Sequence, residues 1–236
     1  MSTHLLADVH LTGDDEPCAK HLRDYCRGAA RDADAVYLLG DLFDLWLGDD
    51  ACFEQHRHTI DALGELSKAG VAVYFMRGNR DFLVGQRFFA TSGATLLDDP
   101  WFGPIEGVAT LLTHGDSLCT NDPSQQRFRA QYNNPYWRAA ILRLPLRVRR
   151  YIAKRIQNHS THHKHRHNSR DLDVASEAIS KSAADTGATR VIHGHTHRPS
   201  DDHVGGVDRH VLAAWSSAFG EYLSIDGDTV TRCPLT

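Results

Sequence analysis

The sequence predicts an α/β chain whose chemistry gathers at one edge of its strands. Three observations carry that prediction. Short apolar, strand-forming runs recur along the 236 residues, helix-patterned stretches lie between them, and five of the runs stop at residues able to bind a metal ion. In α/β folds the strand ends on one edge open into a common crevice, where such folds place their sites.

The first run, Thr3 to Ala7, stops at Asp8-Val9-His10, and on an extended chain two ligands separated by one residue reach the same side. Pro17 to Arg31 reads as a helix, with Pro17 in its first turn and Leu22 and Cys26 four residues apart. Ala35 to Leu39 is the second strand, and Gly40-Asp41 after it is as readily a turn as a ligand position. Residues 42–50, alternately apolar and acidic, suit a loop leading away from the site. Glu54 to Ala69 is helical in pattern, with Ile60, Leu63 and Leu66 on one face and Gly70 as its stop. A strand over Val71 to Met76 ends before Gly78-Asn79-Arg80-Asp81, and one over Val108 to Thr113 ends at His114-Gly115-Asp116. Ala188 to Ile192 leads into His193-Gly194-His195-Thr196-His197, a run rich in metal-type ligands, with His193 read as a buried, hydrogen-bonded imidazole. Val211 to Trp215 and Tyr222 to Ile225 read as further strands, with Asp226-Gly227 a turn before Val230.

Composition limits the class. With 41% hydrophobic and 24% charged residues the chain can bury a substantial core, and it reads as one domain over 1–236. No apolar run approaches the roughly 18 residues of a spanning helix. The start, Met1-Ser2-Thr3-His4-Leu5, lacks the basic flank and cleavage site of a signal peptide, so a cytoplasmic location is expected. Five scattered cysteines, with no Cys-x-x-Cys, argue against both a disulfide framework and a thiolate zinc site. Charge is uneven: Pro123 to Arg170 holds 12 of the 26 Lys and Arg and none of the 30 Asp and Glu. That stretch reads as an insertion facing phosphate groups or an anionic membrane surface.

Asp8, His10, Asp41, Asn79, His114, His195 and His197 are oxygen and nitrogen donors, too many for one ion. They suit two first-row divalent ions sharing a carboxylate, about 3.5 to 4 Å apart, which could activate water against a phosphate. The chain has neither a Gly-x-Ser-x-Gly elbow nor a phosphate-cradling P-loop, so metal-activated water is the economical mechanism.

Asp8-x-His10, Gly40-Asp41, Gly78-Asn79-Arg80-Asp81, His114-Gly115-Asp116 and Gly194-His195-x-His197, in this order over the whole chain, resemble the signature of the calcineurin-like metallophosphoesterases. The longer runs Gly40 to Asp44, Arg77 to Leu83, His114 to Thr120 and Ile192 to Pro199 narrow the resemblance to the branch acting on UDP-2,3-diacylglucosamine in lipid A synthesis. Arg80 follows Asn79 where the superfamily usually has His.

The resemblance implies an α/β/β/α sandwich of two mixed sheets with a helical insertion, and two Mn2+ ions. Asp8, His10, Asp41 and His197 would hold one ion and Asp41, Asn79, His114 and His195 the other. The implied catalytic group is Asp41, Asn79, Arg80, His114 and His195, with Arg80 a fixed cation for the diphosphate. Water would attack the α-phosphorus, giving UMP and the acylated sugar 1-phosphate. Substrate contacts carry over to Asn79, Arg80, Asp122, Ser160, Lys164, His167 and His195, with His167 standing where a Lys is expected.

Within the insertion, Trp137, Ile141 and Leu144, and likewise Val148, Ile152 and Ile156, follow helical spacing, flanked by Arg143, Arg147, Arg150, Lys154 and Arg155. A lipid-binding cap is expected there, resting on the cytoplasmic face of the inner membrane, with a lipid-linked UDP-sugar as substrate and neither nucleic acid nor an obligate protein as partner. The tract His159 to His167 reads as a solvated loop. Other readings are a dinuclear phosphoesterase for a different nucleotide or phosphodiester, and a non-enzymatic polyanion-binding protein.

Overall fold

The computed structural model describes residues 2–155 and 174–235. Its strands are β1 (Thr3–Leu6), β2 (Ala35–Leu39), β3 (Ala72–Met76), β4 (Thr95–Leu97), β5 (Trp101–Ile105), β6 (Val108–Thr113), β7 (Arg190–His193), β8 (Ser200–Val204), β9 (Val207–Val211), β10 (Gly220–Asp226) and β11 (Thr229–Leu235). They form two sheets, ordered β11-β10-β1-β2-β3-β4 and β5-β6-β7-β9-β8. Both are mixed: β1 to β4 run parallel with β10 antiparallel beside β1, and β6, β7 and β9 run parallel between antiparallel neighbours.

Period-two alternation builds the layers. Tyr37, Leu39 and Met76 of the first sheet meet Leu112 and Ile192 of the second in a central core. Val36, Leu38, Val73 and Phe75 face the other way, onto the helices Pro17–Arg27 and Arg57–Lys68, through Leu22, Cys26, Ile60, Leu63 and Leu66. On the far side Leu111 and Val191 pack against Ile179 and Ala183 of the helix Ser176–Thr186. The order helix, sheet, sheet, helix follows because every one of these strands is apolar on both faces.

Several sequence expectations are corrected here. The first helix ends at Arg27, because Gly28 breaks it, and a 3-10 turn over Ala29–Asp32 continues to β2. The second begins as a separate 3-10 turn over Glu54–His56. The strand expected over Val211 to Trp215 is β9, ending at Val211; residues 212–215 cross between the sheets, with Leu212 N donating to His193 O and Trp215 N to Asp8 O. These residues are apolar because the crossing is buried, not because it is a strand. Residues 42–50 do not lead away. Leu11 N donates to Leu42 O, Asp44 N to Leu11 O and Trp46 N to Arg80 O, holding the segment against the strand ends.

The basic stretch enters as the helices Pro123–Asn133 and Pro135–Leu142, followed by helical backbone over 146–155. On the last of these Arg149 and Ala153 are buried, Ile152 is half-buried and Val148 is exposed. Arg149 is a structural residue rather than a surface cation. Its guanidinium bonds the carbonyls of Leu47 and Leu144 and pairs with Asp50. Arg149→Met is therefore expected to lower stability by about 1–3 kcal/mol, since it strands carbonyls that water reaches poorly. Arg147→Met, at an exposed position, should leave the urea midpoint in place, and equal midpoints for the two variants would refute the assignment.

Candidate metal centre

All seven proposed ligands lie at the same ends of the two sheets. Asp8 and His10 follow β1, Asp41 follows β2 and Asn79 follows β3, while His114 follows β6 and His195 and His197 follow β7. Backbone hydrogen bonds lace these ends together: Asp8 N to Gly40 O, His10 N to Asp41 O and Gly194 N to His114 O. Asp8 Oδ2 accepts from His195 N at 2.7 Å, which joins one sheet to the other.

Strand parity is not what converges Asp8 and His10. Both have left-handed backbone, φ 55° and 54°, as do Asp41, His195 and His197. Among the described residues only Glu106 is otherwise a non-glycine residue with positive φ. Concentration of such costly conformations at one place marks a site whose geometry is held by its surroundings. The glycines beside it serve close approach: a Cβ on Gly78 would overlap Asp41 Oδ1, and one on Gly194 would overlap Asp8 Oδ2.

The donor atoms fall into two groups. His10 Nε2 and His197 Nε2 are 3.1 Å apart, and Asp8 Oδ1 lies 3.8 Å from the first and 3.4 Å from the second. His114 Nε2 lies 3.0 Å from Asn79 Oδ1, 3.2 Å from His195 Nδ1 and 3.7 Å from Asp41 Oδ2. Donor atoms of Asp8, Asp41 and His114 also lie within 4.8 Å of one another, placing the groups side by side. His114 Nδ1 donates to Leu39 O at 3.0 Å, which fixes the ring with Nε2 toward the other donors.

Electrostatics fit two cations. Asp8, Asp41, Asp81 and Asp116 are all buried, and Asp8 Oδ1 accepts no well-formed hydrogen bond among the described residues. Burial pushes the Asp41 carboxyl up to about 8, with Asp81 and Asp8 adding to the effect and His114 opposing it. Burial disfavours the charged His114 ring, but Asp41, Asp8 and Asp116 outweigh it and raise the imidazole to about 10. Burial likewise lowers His10 to about 4 against the pull of Asp8. The pocket thus retains protons on Asp41 and His114 where divalent cations would supply positive charge.

Arg80 stands at the rim. Its amide donates to Asp41 Oδ1 at 2.9 Å and its guanidinium contacts Asp44 Oδ1 at 3.1 Å. Three further carboxylates, Asp44, Asp81 and Asp116, stand close to the donors. Asp44 stays 3.9 Å from His10 Nδ1, and Asp81 binds the amides of Gly78 and Leu42, each at 2.8 Å. Asp116 bonds Tyr132 and Arg129, and Arg129 also reaches Asp99 at 2.8 Å. That network, which fastens the Pro123–Asn133 helix to the loop after His114, left no recognisable signal in the sequence. Asp122 caps the same helix, accepting from Ser124 N and Gln125 N. Ser160, Lys164, His167 and the His-rich tract lie outside the described residues.

Residues 1–199 match the family model for calcineurin-like phosphoesterases. The chain is 40% identical to a UDP-2,3-diacylglucosamine hydrolase of Chromohalobacter salexigens, over 98% of this chain and 96% of that one. It is 39% identical to a protein of the same name from Chromobacterium violaceum, over 100% and 99%. Among solved structures, a dimetal phosphatase from Danio rerio superposes with a TM-score of 0.53 at 14% identity, covering 100% of this chain and 98% of that one. An archaeal phosphodiesterase does so with 0.50 at 14% identity, covering 100% of both, and these two likenesses speak for the fold. With a match of this length laid over the fold and the two donor groups, the chain belongs to the calcineurin-like phosphoesterase family.

Proposed function

We propose that this chain hydrolyses UDP-2,3-diacylglucosamine, water attacking the α-phosphorus to release UMP and leave 2,3-diacylglucosamine 1-phosphate, a step of lipid A synthesis. The full-length 40% identity to a hydrolase of that substrate carries the reading, because a two-cation site alone serves many phosphoesters. One divalent cation is assigned to Asp8, His10, Asp41 and His197 and the other to Asp41, Asn79, His114 and His195, with Mn2+ the proposed metal. When bound, such ions polarise phosphate oxygens and lower the pKa of water.

The chain's own groups do the positioning. Arg80, steered by Asp44 at 3.1 Å, offers a planar donor fork to the diphosphate. His114 keeps Nε2 facing the donors because the Leu39 carbonyl holds its other nitrogen. Two residues beyond Arg80, Phe82 stacks on Tyr132 with ring centroids 5.2 Å apart and meets Phe128 at 5.9 Å and Trp137 at 5.8 Å. This aromatic cluster, shared between core and insertion, suits acyl chains next to the phosphate. Residues 123–170 are accordingly proposed as a lipid-binding cap, with Asp122, Ser160, Lys164 and His167 among the substrate contacts.

Incubating the Mn2+-loaded protein with UDP-diacylglucosamine and with simple phosphodiesters tests the reading. Release of UMP with clear preference for the acylated substrate is expected; equal rates would reject it.

Peripheral attachment to the cytoplasmic face of the inner membrane belongs to the same proposal. No helix among the described residues is long and apolar enough to cross a bilayer. Tyr136 is 85% exposed and Tyr151 60%, and they share the insertion with exposed Arg143 and Arg147. Aromatic rings beside cations suit an anionic lipid interface. Replacing Arg143 and Arg147 with Ser should weaken partitioning onto anionic liposomes roughly thirtyfold at low salt, at roughly 1 kcal/mol per cation. Unchanged sedimentation would retire the membrane claim.

A further inference from the structure

The turn that presents His114 is gripped by a side chain of the insertion. Arg129, on the helix Pro123–Asn133, donates from Nη2 to Asp99 Oδ2 at 2.8 Å and to the Asp99 carbonyl at 2.9 Å, and from Nε to Asp116 Oδ1 at 3.3 Å. Asp99 turns its other oxygen to the ligand itself: Oδ1 accepts from His114 N at 3.2 Å and from Thr113 Oγ1 at 2.6 Å. One guanidinium thus ties down a carboxylate bonded to the His114 amide and a second carboxylate two residues beyond it. Both are sheltered, the Asp99 side chain being 8% exposed and that of Asp116 0%. The His114 carbonyl accepts in turn from Gly194 N at 2.9 Å, next to His195.

We propose that Arg129 is a positioning residue for the metal centre: through Asp99 it fixes the main chain at His114 and so sets the cation site assigned to Asp41, Asn79, His114 and His195. This role rests on the ligand set proposed for that ion. Holding the insertion in place does not by itself call for Arg129. Gln126 Nε2, on the same helix, donates to the carbonyls of Asp116 and Cys119 at 2.8 and 3.0 Å. Phe128 and Tyr132 pack on Phe82, and Arg149 anchors the other end on Asp50 and the Leu47 carbonyl. An ion pair as sheltered as that of Arg129 adds little net stability, because desolvating the charges offsets their attraction. What Arg129 supplies is an ionised Asp99 held with Oδ1 aimed at the His114 amide, and a charged acceptor makes the stronger bond. Removing the guanidinium leaves two sheltered carboxylates without their cation, and Asp99 loses the partner that aims it. The His114 ring keeps its bond to the Leu39 carbonyl, so the expected fault is displacement of one donor rather than collapse of the site. Asp8, His10 and His197 follow β1 and β7, whereas the grip acts on the turn after β6.

Titrating the metal-free full chain with Mn2+, the free ion read by electron paramagnetic resonance, tests the role without reference to turnover. The parent should bind two ions. Arg129→Met should weaken one of them by about 10–100-fold, the usual cost of losing an outer partner of a metal ligand, and leave the other unchanged. Arg129→Lys, which keeps a charge but not the fork, should recover part of that loss. Arg149→Met, which loosens the insertion at its other anchor, should bind both ions as the parent does. Parental binding of both ions by Arg129→Met overturns the proposal. So does equal weakening of both ions, or the same change in Arg149→Met, since the guanidinium then only holds the insertion. If Arg129→Met does not fold, Asp99→Asn, which keeps the shape and removes the charge, decides in its place: a loss confined to one ion upholds the role and parental binding rejects it. A selective loss in a protein that does not cleave UDP-diacylglucosamine leaves the positioning role standing while the proposed reaction falls. A parent that binds fewer than two ions rejects the ligand assignment and this role with it.

Discussion

Asp41→Asn is expected to lower activity by about 10³-fold or more, beyond the 10–100-fold that loss of an outer partner of a metal site costs. The reason is position. Asp41 Oδ2 lies 3.7 Å from His114 Nε2, and Asp41 shares a cluster with Asp8, so its carboxylate is the one proposed to serve both cations. The amide that replaces it keeps the shape but loses the charge, and bound metal per chain, read by elemental analysis, should fall in step with activity. The same change should leave the metal-free fold as stable as the parent, or more so, because burial already disfavours a charged carboxyl there. His167→Ala, removing only a proposed substrate contact, should cost far less. Equal losses for the two variants, or full metal content in Asp41→Asn, would reject the ligand assignment.

Much of the site could be read from the sequence because each ligand terminates an apolar run. The ends of β1, β2, β3, β6 and β7 are legible as hydrophobic residues stopping at Asp, Asn or His. The backbone that makes them converge was not legible. Left-handed φ at Asp8, His10, Asp41, His195 and His197 depends on the packing of neighbouring loops, and no residue type announces it. Short edge strands were missed for a related reason. β4 spans three residues, and β8, reading Ser-Asp-Asp-His-Val, is polar and mostly exposed, so neither carries a periodic signal. In the insertion the sequence gives helical spacing but not which face is inward. Arg149 takes a buried place because the Leu47 and Leu144 carbonyls and Asp50 lie within reach, and composition alone assigns such a residue to the surface.

Metal-free protein should lose stability as pH rises from about 6.5 to 9, and Mn2+ should abolish that dependence. The sign follows from the two raised groups. Asp41 titrates near 3.8 in an unfolded chain and about 8 in the fold, and His114 near 6.5 and about 10. In each case the folded state holds its proton after the unfolded state has released it. The stability so contributed is full below the unfolded value and is lost as pH climbs through the folded one, so both groups act in the same direction between 6.5 and 8. His10, lowered to about 4, acts below that window and penalises the fold as pH falls from 6.5. A combined change of several kcal/mol corresponds to a fall in Tm on the order of 10 °C for a chain of this size. Cations at the proposed ligands take over the positive charge that the protons supply, so loading near neutral pH should release on the order of one to two protons per chain. Calorimetric titration with Mn2+ in buffers of different ionisation enthalpy measures that number directly. Parallel Tm curves with and without metal, together with no proton release, would mean that the buried carboxylates and His114 are not where the cations bind.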